Sequence, residues 1–214
     1  MKTLFLDVSA GVTGDALSAA LLELFDDREE ILTLLNGIGI PGLRFHAEAV
    51  RHREIVGTHM TVTRQGIEAG SDLPHRFDIH EIVEELDIPL RVKGQVWEAY
   101  DLVAESEAME LVAEITAVCL MNDLLQPDRI VATPICTGVG SIRPADAVLL
   151  EGIPNTAGEN EGERSTPTGI ALIRHFAQEF GGQPPVVIEK RGVGIAKTEF
   201  GSFTAVRASI GEVV

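Results

Sequence analysis

The chain has 214 residues, of which 45% are hydrophobic, enough to bury the core of one large domain or of two small lobes. It carries 17 basic and 33 acidic residues, a formal net charge of −16, so phosphate backbones and anionic lipid should repel it. Nucleic acid and membrane surfaces are therefore poor candidate partners, and metal cations or basic partners are better ones. No apolar run approaches the length of a membrane span.

The N-terminus and the cysteines point to the cytoplasm. Asp7 interrupts the short apolar run at the N-terminus, which predicts a first strand and not a signal peptide. Cys119 and Cys136 are the only cysteines, and they lack the CxxC spacing of a metal or redox motif. We expect both to be buried thiols of a reducing compartment.

The first third of the sequence predicts a strand, two helices and a hairpin. Helices are indicated by apolar residues at helical spacing, and half-buried strands by alternation of apolar and polar residues. The predicted elements are a strand at Thr3–Val8, helices at Asp15–Phe25 and Glu29–Leu35, and a hairpin of Leu43–Arg53 and His59–Arg64 joined through Val56-Gly57.

The rest of the chain interleaves helices and strands without strict alternation, which favours an α+β fold: a mixed or antiparallel sheet with helices packed on it, as in a two-layer α/β sandwich. Gly66–Pro74 is polar and glycine-bearing, so we predict one domain over 1–214, with two lobes at 1–70 and 75–214 as a further possibility. The predicted elements are helices at Asp78–Leu86 and along most of Arg91–Leu125, a strand at Arg129–Cys136, a loop at Asn155–Arg164, a helix at Thr166–Phe180 closed by Gly181-Gly182, strands at Val186–Lys190 and Phe203–Ile210, and a bulge or turn at Arg191–Gly194.

The clearest chemical feature is the acidic glycine turn LDVSAGVTGD near the N-terminus. Gly11 and Gly14 let a ligand approach the backbone, and the helix start offers free N–H groups to an anion. Asp7 and Asp15 add two carboxylates, which suggests a hard metal such as Mg²⁺ bridging to a phosphate and makes both residues catalytic candidates. In the alternative interpretation, Thr13 or Asp15 caps the helix and the glycines only turn the chain.

Three candidate metal ligands, His75, Asp78 and His80, lie close together in the sequence. Imidazole and carboxylate ligands of this kind suit Ni²⁺, Zn²⁺ or Co²⁺. The alternative is a capping box, with Asp78 as the helix cap and Glu81 at the third helical position. A capping role does not exclude metal binding.

The segment STPTG, at Ser165–Gly169, precedes a long helix. Thr166 is suited to cap that helix, and Pro167 to begin it. The hydroxyls of Thr166 and Thr168, with the free N–H groups, also make a plausible anion cradle, and Gly169 is unfavourable early in a helix unless something approaches it closely. Capping alone remains the alternative.

Five motifs follow one another along the chain: LDVSAGVTGD, HRFDIHEI, ATPICTGVGS, ERSTPTG and EKRGVGIA. In this order they resemble the LarC nickel-insertion proteins, the nickel chelatases of nickel-pincer cofactor biosynthesis, from Met1 to about Ile210. The resemblance implies insertion of nickel into a pyridinium bisthiocarboxylate mononucleotide, with a nucleoside triphosphate and Mg or Mn. The matching residues are Asp7, Gly11, Gly14 and Asp15 in the first motif, His75 in the second, and Thr166, Pro167, Thr168 and Gly169 in the fourth.

The chain departs from the family pattern in three places. It lacks an HEVGAxDSIxD-type block before AEITAVCLMNDLL, it lacks an AHG-type stretch before PADAV, and the family's C-terminal domain does not follow Val214. Three functions therefore stay open: a nickel-insertion component working with a separate C-terminal chain, a noncatalytic paralogue that binds metal or a partner, and an Mg²⁺-dependent enzyme acting on a nucleotide or phosphate. A homo-oligomer is compatible with each.

Overall fold

The apolar N-terminal run forms a strand near the middle of a seven-stranded sheet. The structure is a computed structural model that describes residues 1–64, 79–103, 109–140, 143–158, 162–197 and 203–213. Its strands are β1 (Lys2–Asp7), β2 (Leu43–His52), β3 (Ile55–Arg64), β4 (Arg129–Ala132), β5 (Ile135–Cys136), β6 (Asn155–Thr156), β7 (Glu179–Phe180), β8 (Val186–Lys197) and β9 (Phe203–Val213). Its helices are α1 (Gly14–Leu22), α2 (Arg28–Gly37), α3 (Ile79–Glu85), α4 (Leu90–Asp101), α5 (Met109–Leu125), α6 (Pro144–Leu149) and α7 (Pro167–Phe176).

The main sheet is mixed, with the strand order β2-β3-β8-β9-β1-β4-β7, and β5 pairs with β6 in a separate small sheet. β1 is parallel to β4 and antiparallel to β9. Because β1 and β4 are parallel and adjacent, the segments that leave their carboxyl ends emerge at the same edge of the sheet. The Thr133 hydroxyl accepts a hydrogen bond from Val8 N at 2.9 Å, which ties these two segments together.

One face of the sheet is covered by α1, which contacts β3, β8 and β9. α1 is built almost entirely from small and apolar residues, and all of them except Asp15 are buried. α5 packs on α1 and α4, and 13 of its 17 residues are buried. The prediction of an α+β fold, with a mixed sheet and helices packed on it, is confirmed.

The hairpin is confirmed, although its turn was predicted in the wrong place. β2 and β3 pair from Leu43↔Arg64 to His52↔Ile55, so the turn is Arg53-Glu54, where Arg53 has a φ of +53°. Gly57 lies inside β3. The strand requires glycine there because a Cβ would lie 2.4 Å from the Val193 carbonyl oxygen.

Several other boundaries differ from those predicted, and two of the differences have a clear cause. The helix predicted to reach Phe180 ends at Phe176, because Glu179–Phe180 instead pair with Val131 and Ala132 of β4. The strand predicted at Arg129–Cys136 is broken after Ala132, and Ile135–Cys136 pair with β6. Both differences come from pairing with residues distant in sequence.

Several other expectations bear on the chain as a whole. Cys119 and Cys136 are free and buried, as predicted. Within the described ranges, no helix is long and apolar enough to cross a membrane. The main sheet takes strands from both 1–70 and 75–214, and the division into two lobes stays a prediction.

Candidate functional site

The turn between β1 and α1 requires glycine at position 11 for two reasons. Gly11 has a φ of +102°, which L side chains rarely adopt, and its N–H donates to the Val8 carbonyl at 2.9 Å. A Cβ on Gly11 would also lie 2.1 Å from the carbonyl oxygen of Arg164. The Thr13 hydroxyl then caps α1 by accepting from Ala16 N at 3.3 Å, in agreement with the capping interpretation.

The start of α7 packs directly on that turn. The backbone N–H of Thr166 donates to the Val12 carbonyl at 2.9 Å, and its hydroxyl accepts from Gly169 N at 3.2 Å. A Cβ on Gly169 would lie 2.3 Å from the Val12 oxygen. The starts of α1 and α7 therefore meet backbone to backbone, and the predicted cap at Thr166 is confirmed.

Ser165 joins the turn to the segment that follows β4. Its hydroxyl, which is buried, accepts from Val12 N at 2.9 Å and donates to the Cys136 carbonyl at 2.7 Å. Gly138, with a φ of +91°, lies so close to Gly162 that a Cβ would be 1.9 Å from the Gly162 oxygen. We call the three segments 8–14, 135–138 and 162–169 the motif junction, because the first, third and fourth motifs meet there.

The RGVG motif forms neither the bulge nor the turn that was predicted for it. Gly192 and Gly194 lie inside β8, and the register shift of that strand falls earlier, between Ile188 and Lys190. A Cβ on Gly194 would lie 1.8 Å from the Ala16 oxygen, and one on Gly192 would lie 2.2 Å from the Ala20 oxygen. The glycines are needed because α1 rests directly on the strand, so this motif also supports the N-terminal turn.

Asp7 and Asp15 have different surroundings. The Asp7 carboxylate accepts from the Ser9 hydroxyl at 2.5 Å and from Ser9 N at 3.1 Å, and it lies 3.7 Å from the Arg207 guanidinium. Asp15, in the first turn of α1, instead lies near Glu114 of α5 and His59 of β3. The two aspartates are thus held by separate sets of partners.

The half-buried Glu114 side chain lies against the start of α1. A Cβ on Gly14 would lie 2.2 Å from Glu114 Oε2, so this glycine makes room for the carboxyl group. Burial first, then the charges of Asp15 and Glu110, raise the pKa of Glu114 to about 8. Burial also raises the pKa of Asp15, opposed by hydrogen bonds from Thr13 and Ala16 N and by the nearby His59. Burial therefore favours the uncharged form of both carboxyls.

The neighbours of this pair are already engaged. Glu110, one helical turn before Glu114, makes a two-pronged ion pair with Arg64, at 2.5 and 3.1 Å, which lowers the pKa of the Glu110 carboxyl. His59 Nδ1 lies 2.9 Å from the Ile195 carbonyl oxygen, which can only accept, so Nδ1 carries the proton in this contact. Glu114 differs from these groups, because none of the described residues donates a hydrogen bond to its carboxyl.

The histidine segment is described only in part. His75 and Asp78 lie outside the described residues, as does the predicted capping role of Asp78. His80, in the first turn of α3, lies against Trp97 of α4, with ring centroids 5.8 Å apart. In the described ranges, no three His, Cys, Asp or Glu side chains are arranged to hold a metal ion. Metal binding by His75, Asp78 and His80 stays a prediction.

The close approach that the motif glycines permit is made by the chain itself. At Gly11, Gly14 and Gly169, the space that a Cβ would need is filled by atoms of Arg164, Glu114 and Val12, respectively. The cavity beside the motif junction, which Arg143 lines, has a volume of about 60 Å³, far below that of a typical ligand pocket. The binding predicted for Gly11, Gly14, Thr166, Thr168 and Gly169 stays a prediction.

A family model described as nickel insertion protein matches residues 4–213, which is nearly the whole chain. This chain belongs to the nickel insertion protein family. Its motif junction therefore brings together, in three dimensions, motifs on which the resemblance to LarC proteins rested. No solved structure matches the chain.

Named relatives of this family member come from several bacteria. A protein of Dictyoglomus thermophilum is 27% identical over 244 residues, covering 100% of this chain and 62% of the relative. One of Myxococcus xanthus is 31% identical, covering 99% and 61%. Both are named "Putative nickel insertion protein". A protein of Acetivibrio thermocellus, named pyridinium-3,5-bisthiocarboxylic acid mononucleotide nickel insertion protein, is 29% identical, covering 99% and 60%.

The chain differs from those relatives in how much of them it spans and in the length of the aligned region. The chain spans about 60% of their length. The stretch aligned with the Dictyoglomus thermophilum relative is 244 residues long against 214 residues here, so that relative has residues inside the aligned region that this chain lacks. An internally shortened member, as the motifs indicated, fits these lengths.

Sequence reasoning missed Glu114 and Ser165. Glu114 had a visible signal, because it is a lone carboxyl in the apolar run of α5, where nearly every neighbour is buried. Ser165 had none, because its two partners, Val12 and Cys136, are far from it in the sequence.

Proposed function

We propose that this chain takes part in inserting nickel into a pyridinium bisthiocarboxylate mononucleotide, the step named for its Acetivibrio thermocellus relative. Nickel and the mononucleotide are substrates in this proposal. The observation that supports it is the motif junction: segments 8–14, 135–138 and 162–169 are joined by hydrogen bonds, and Glu114 of α5 lies against Gly14, next to Asp15.

The proposal gives the predicted site residues distinct roles. Asp15 is the candidate to accept a proton or to bind metal at the motif junction. Asp7 fixes the end of β1 through its hydrogen bond with Ser9, and its carboxylate lies near Arg207. His75, Asp78 and His80 are candidates for collecting nickel before it reaches the site. The work would take place in the cytoplasm, where thiols such as Cys119 and Cys136 stay reduced.

The chain spans about 60% of its relatives, so we propose that insertion also needs the part of those relatives that this chain does not span. We propose that the reaction also uses a nucleoside triphosphate with Mg²⁺ or Mn²⁺, for which Gly11, Gly14, Thr166, Thr168 and Gly169 remain the candidate binding residues.

The test is an insertion assay with purified components. The chain is incubated with Ni²⁺ and the mononucleotide, with and without the C-terminal part of the Acetivibrio thermocellus relative, and with and without CTP and Mg²⁺ or Mn²⁺. Mass spectrometry then measures the nickel-containing mononucleotide. We expect product only when both protein parts are present, and strongly reduced product from D15N. If no combination yields product while the full-length relative does under the same conditions, the proposal is wrong.

A second candidate function is a noncatalytic member that binds metal or a partner, and the observation in its favour is the internal shortening. The same assay separates the two functions. A noncatalytic member would bind the C-terminal part in a pull-down and yet add no product above that of the C-terminal part alone.

A further inference from the structure

The strand β2 forms one edge of the main sheet. It comes first in the strand order, and among the described residues it pairs only with β3. Six of its ten residues are exposed. A long exposed edge of this kind presents backbone N–H and C=O groups to which a further strand can bind.

Asn36 of α2 shows which backbone groups of β2 point outward. Its side-chain amide donates to the Phe45 carbonyl at 3.1 Å and accepts from Phe45 N at 2.9 Å, as a residue of a neighbouring strand would. Because successive strand residues direct these groups to opposite sides, those of Ala47, Ala49 and Arg51 point the same way as those of Phe45. Asn36 engages the edge at Phe45, so in the described part of the chain the edge is open from Ala47 onward.

A groove runs beside this edge, between α2 and β2. Its volume is about 490 Å³, within the range of ligand-binding sites. Leu32 of α2 and Ala47 of β2, both partly buried, give the groove apolar surface, and Arg44 and His46 line it with polar groups. Several peptide-recognition domains bind an extended segment as an added strand at an exposed sheet edge, and this groove suits such a segment.

The charge of this edge is opposite to that of the chain. Residues 43–54 carry three arginines, two histidines and two glutamates, whereas the whole chain has a net charge of −16. Arg44, Arg51 and Arg53 are all exposed, and no carboxylate of the described residues forms an ion pair with them. A second copy of β2 would bring this basic edge against another basic edge, whereas an acidic strand complements it.

We propose that β2 binds an extended acidic segment of a partner protein, which pairs with Ala47, Ala49 and Arg51 and adds a strand to the sheet beside α2. The open backbone groups provide the pairing, and the arginines select carboxylates over cationic side chains. This inference does not rest on the proposed function, since neither nickel nor the mononucleotide takes part in it.

The test is fluorescence anisotropy with a labelled eight-residue peptide of alternating threonine and glutamate, added to the metal-free chain at low salt. We expect a dissociation constant of about 100 µM or lower. The matched peptide, with lysine in place of each glutamate, should not bind in the same concentration range.

Two variants examine the backbone and the charge separately. A49P removes an outward N–H and leaves the hydrogen bonds to β3, a position at which an edge strand tolerates proline. R51E reverses one exposed charge of the edge. Each should raise the dissociation constant about fivefold or more. The matched control is R191E, because Arg191 is exposed on β8, which lies between β3 and β9; it should change the constant by less than about twofold.

Three results would overturn the inference. The first is that the glutamate peptide does not bind, because the arginines would then only protect the edge from pairing. The second is equal binding of the lysine peptide, and the third is wild-type binding by R51E and by a folded A49P. Circular dichroism shows whether A49P is folded, and R51E decides the matter if it is not.

The oligomeric state tests the other occupant of this edge. We expect size-exclusion chromatography with light scattering to give wild type and A49P the same mass. A wild-type dimer that A49P converts to a monomer would identify a second copy at β2 and contradict an acidic partner.

Discussion

The ionisation of Glu114 should control how the stability of the metal-free chain depends on pH. Its folded-state pKa is about 8, whereas the ordinary value is 4.5. Between these values the folded chain holds a proton that the unfolded chain has lost, so the free energy of unfolding falls as pH rises. We expect the wild type to lose roughly 2–4 kcal/mol between about pH 5 and about pH 9, measured by urea denaturation in the presence of a chelator. E114Q, which cannot ionise, should lose much less.

The stability contributed by the neighbouring Glu110 should change with pH in the opposite direction, and E110Q tests this. Arg64 lowers the pKa of Glu110, so this carboxyl contributes stability above its ordinary pKa and loses it as pH falls. The pair is partly exposed, and E110Q should therefore cost less than about 1 kcal/mol at neutral pH. A wild-type chain whose stability does not fall toward pH 9, or an E114Q chain whose stability falls just as steeply, would contradict the raised pKa of Glu114.

Single residues were predictable where their role is local. Thr166 was predicted as a cap because its hydroxyl can accept a helix-start N–H and the following proline suits the first helical position. The turn at Gly11 was predicted because glycine readily adopts positive φ. Glu114 was not, since its significance depends on Asp15, which arrives from another helix. Local chemistry predicts caps, whereas a carboxyl pair needs the tertiary structure.

At the scale of elements, the contact between α1 and β8 is the one most sensitive to substitution. A Cβ on Gly194 would lie 1.8 Å from the Ala16 oxygen, and the atom it meets is backbone, which cannot swing away. We expect G194A to lower the free energy of unfolding by about 2 kcal/mol or more, measured by urea denaturation, because the helix must lift off the strand.

Gly94 is the matched control for this substitution. It lies within α4, and no heavy atom lies within 4 Å of the position of its Cβ. G94A should therefore stabilise the chain by up to about 1 kcal/mol, through helix propensity alone. Equal effects of G94A and G194A would mean that the close packing of α1 on β8 is not present in solution.

This contact also explains which elements the sequence predicted poorly. The helices with clear apolar periodicity and the β2–β3 hairpin were found, because their signals lie within each segment. Gly192 and Gly194 were predicted to form a bulge or turn, since the neighbouring sequence does not show that α1 packs on them. The end of α7 was predicted too late in the sequence for the same reason, because Glu179–Phe180 pair with the distant strand β4.

At the scale of the whole molecule, the order of the strands places motifs that are far apart in the sequence at one end of the sheet. β1 is central, with the C-terminal strand β9 on one side and β4 on the other. The segments that follow β1 and β4 leave at the same edge, and α7 begins against them. Composition and periodicity predicted the α+β class, but they do not determine strand order, so the motif junction could not be predicted from them.

Ser165 tests whether that junction holds the molecule together. Its hydroxyl bonds two backbone groups from segments far apart in the sequence, Val12 N and the Cys136 carbonyl. S165A would leave both groups buried without this partner, and we expect a loss of about 2–3 kcal/mol in the free energy of unfolding. Ser18 is an equally buried serine whose hydroxyl donates to the Gly14 carbonyl within α1. That carbonyl also accepts the helical N–H, so S18A should cost less than about 1 kcal/mol. If urea denaturation gives S165A a loss no larger than that of S18A, the three segments do not depend on one another for stability, and the proposed function loses its structural support.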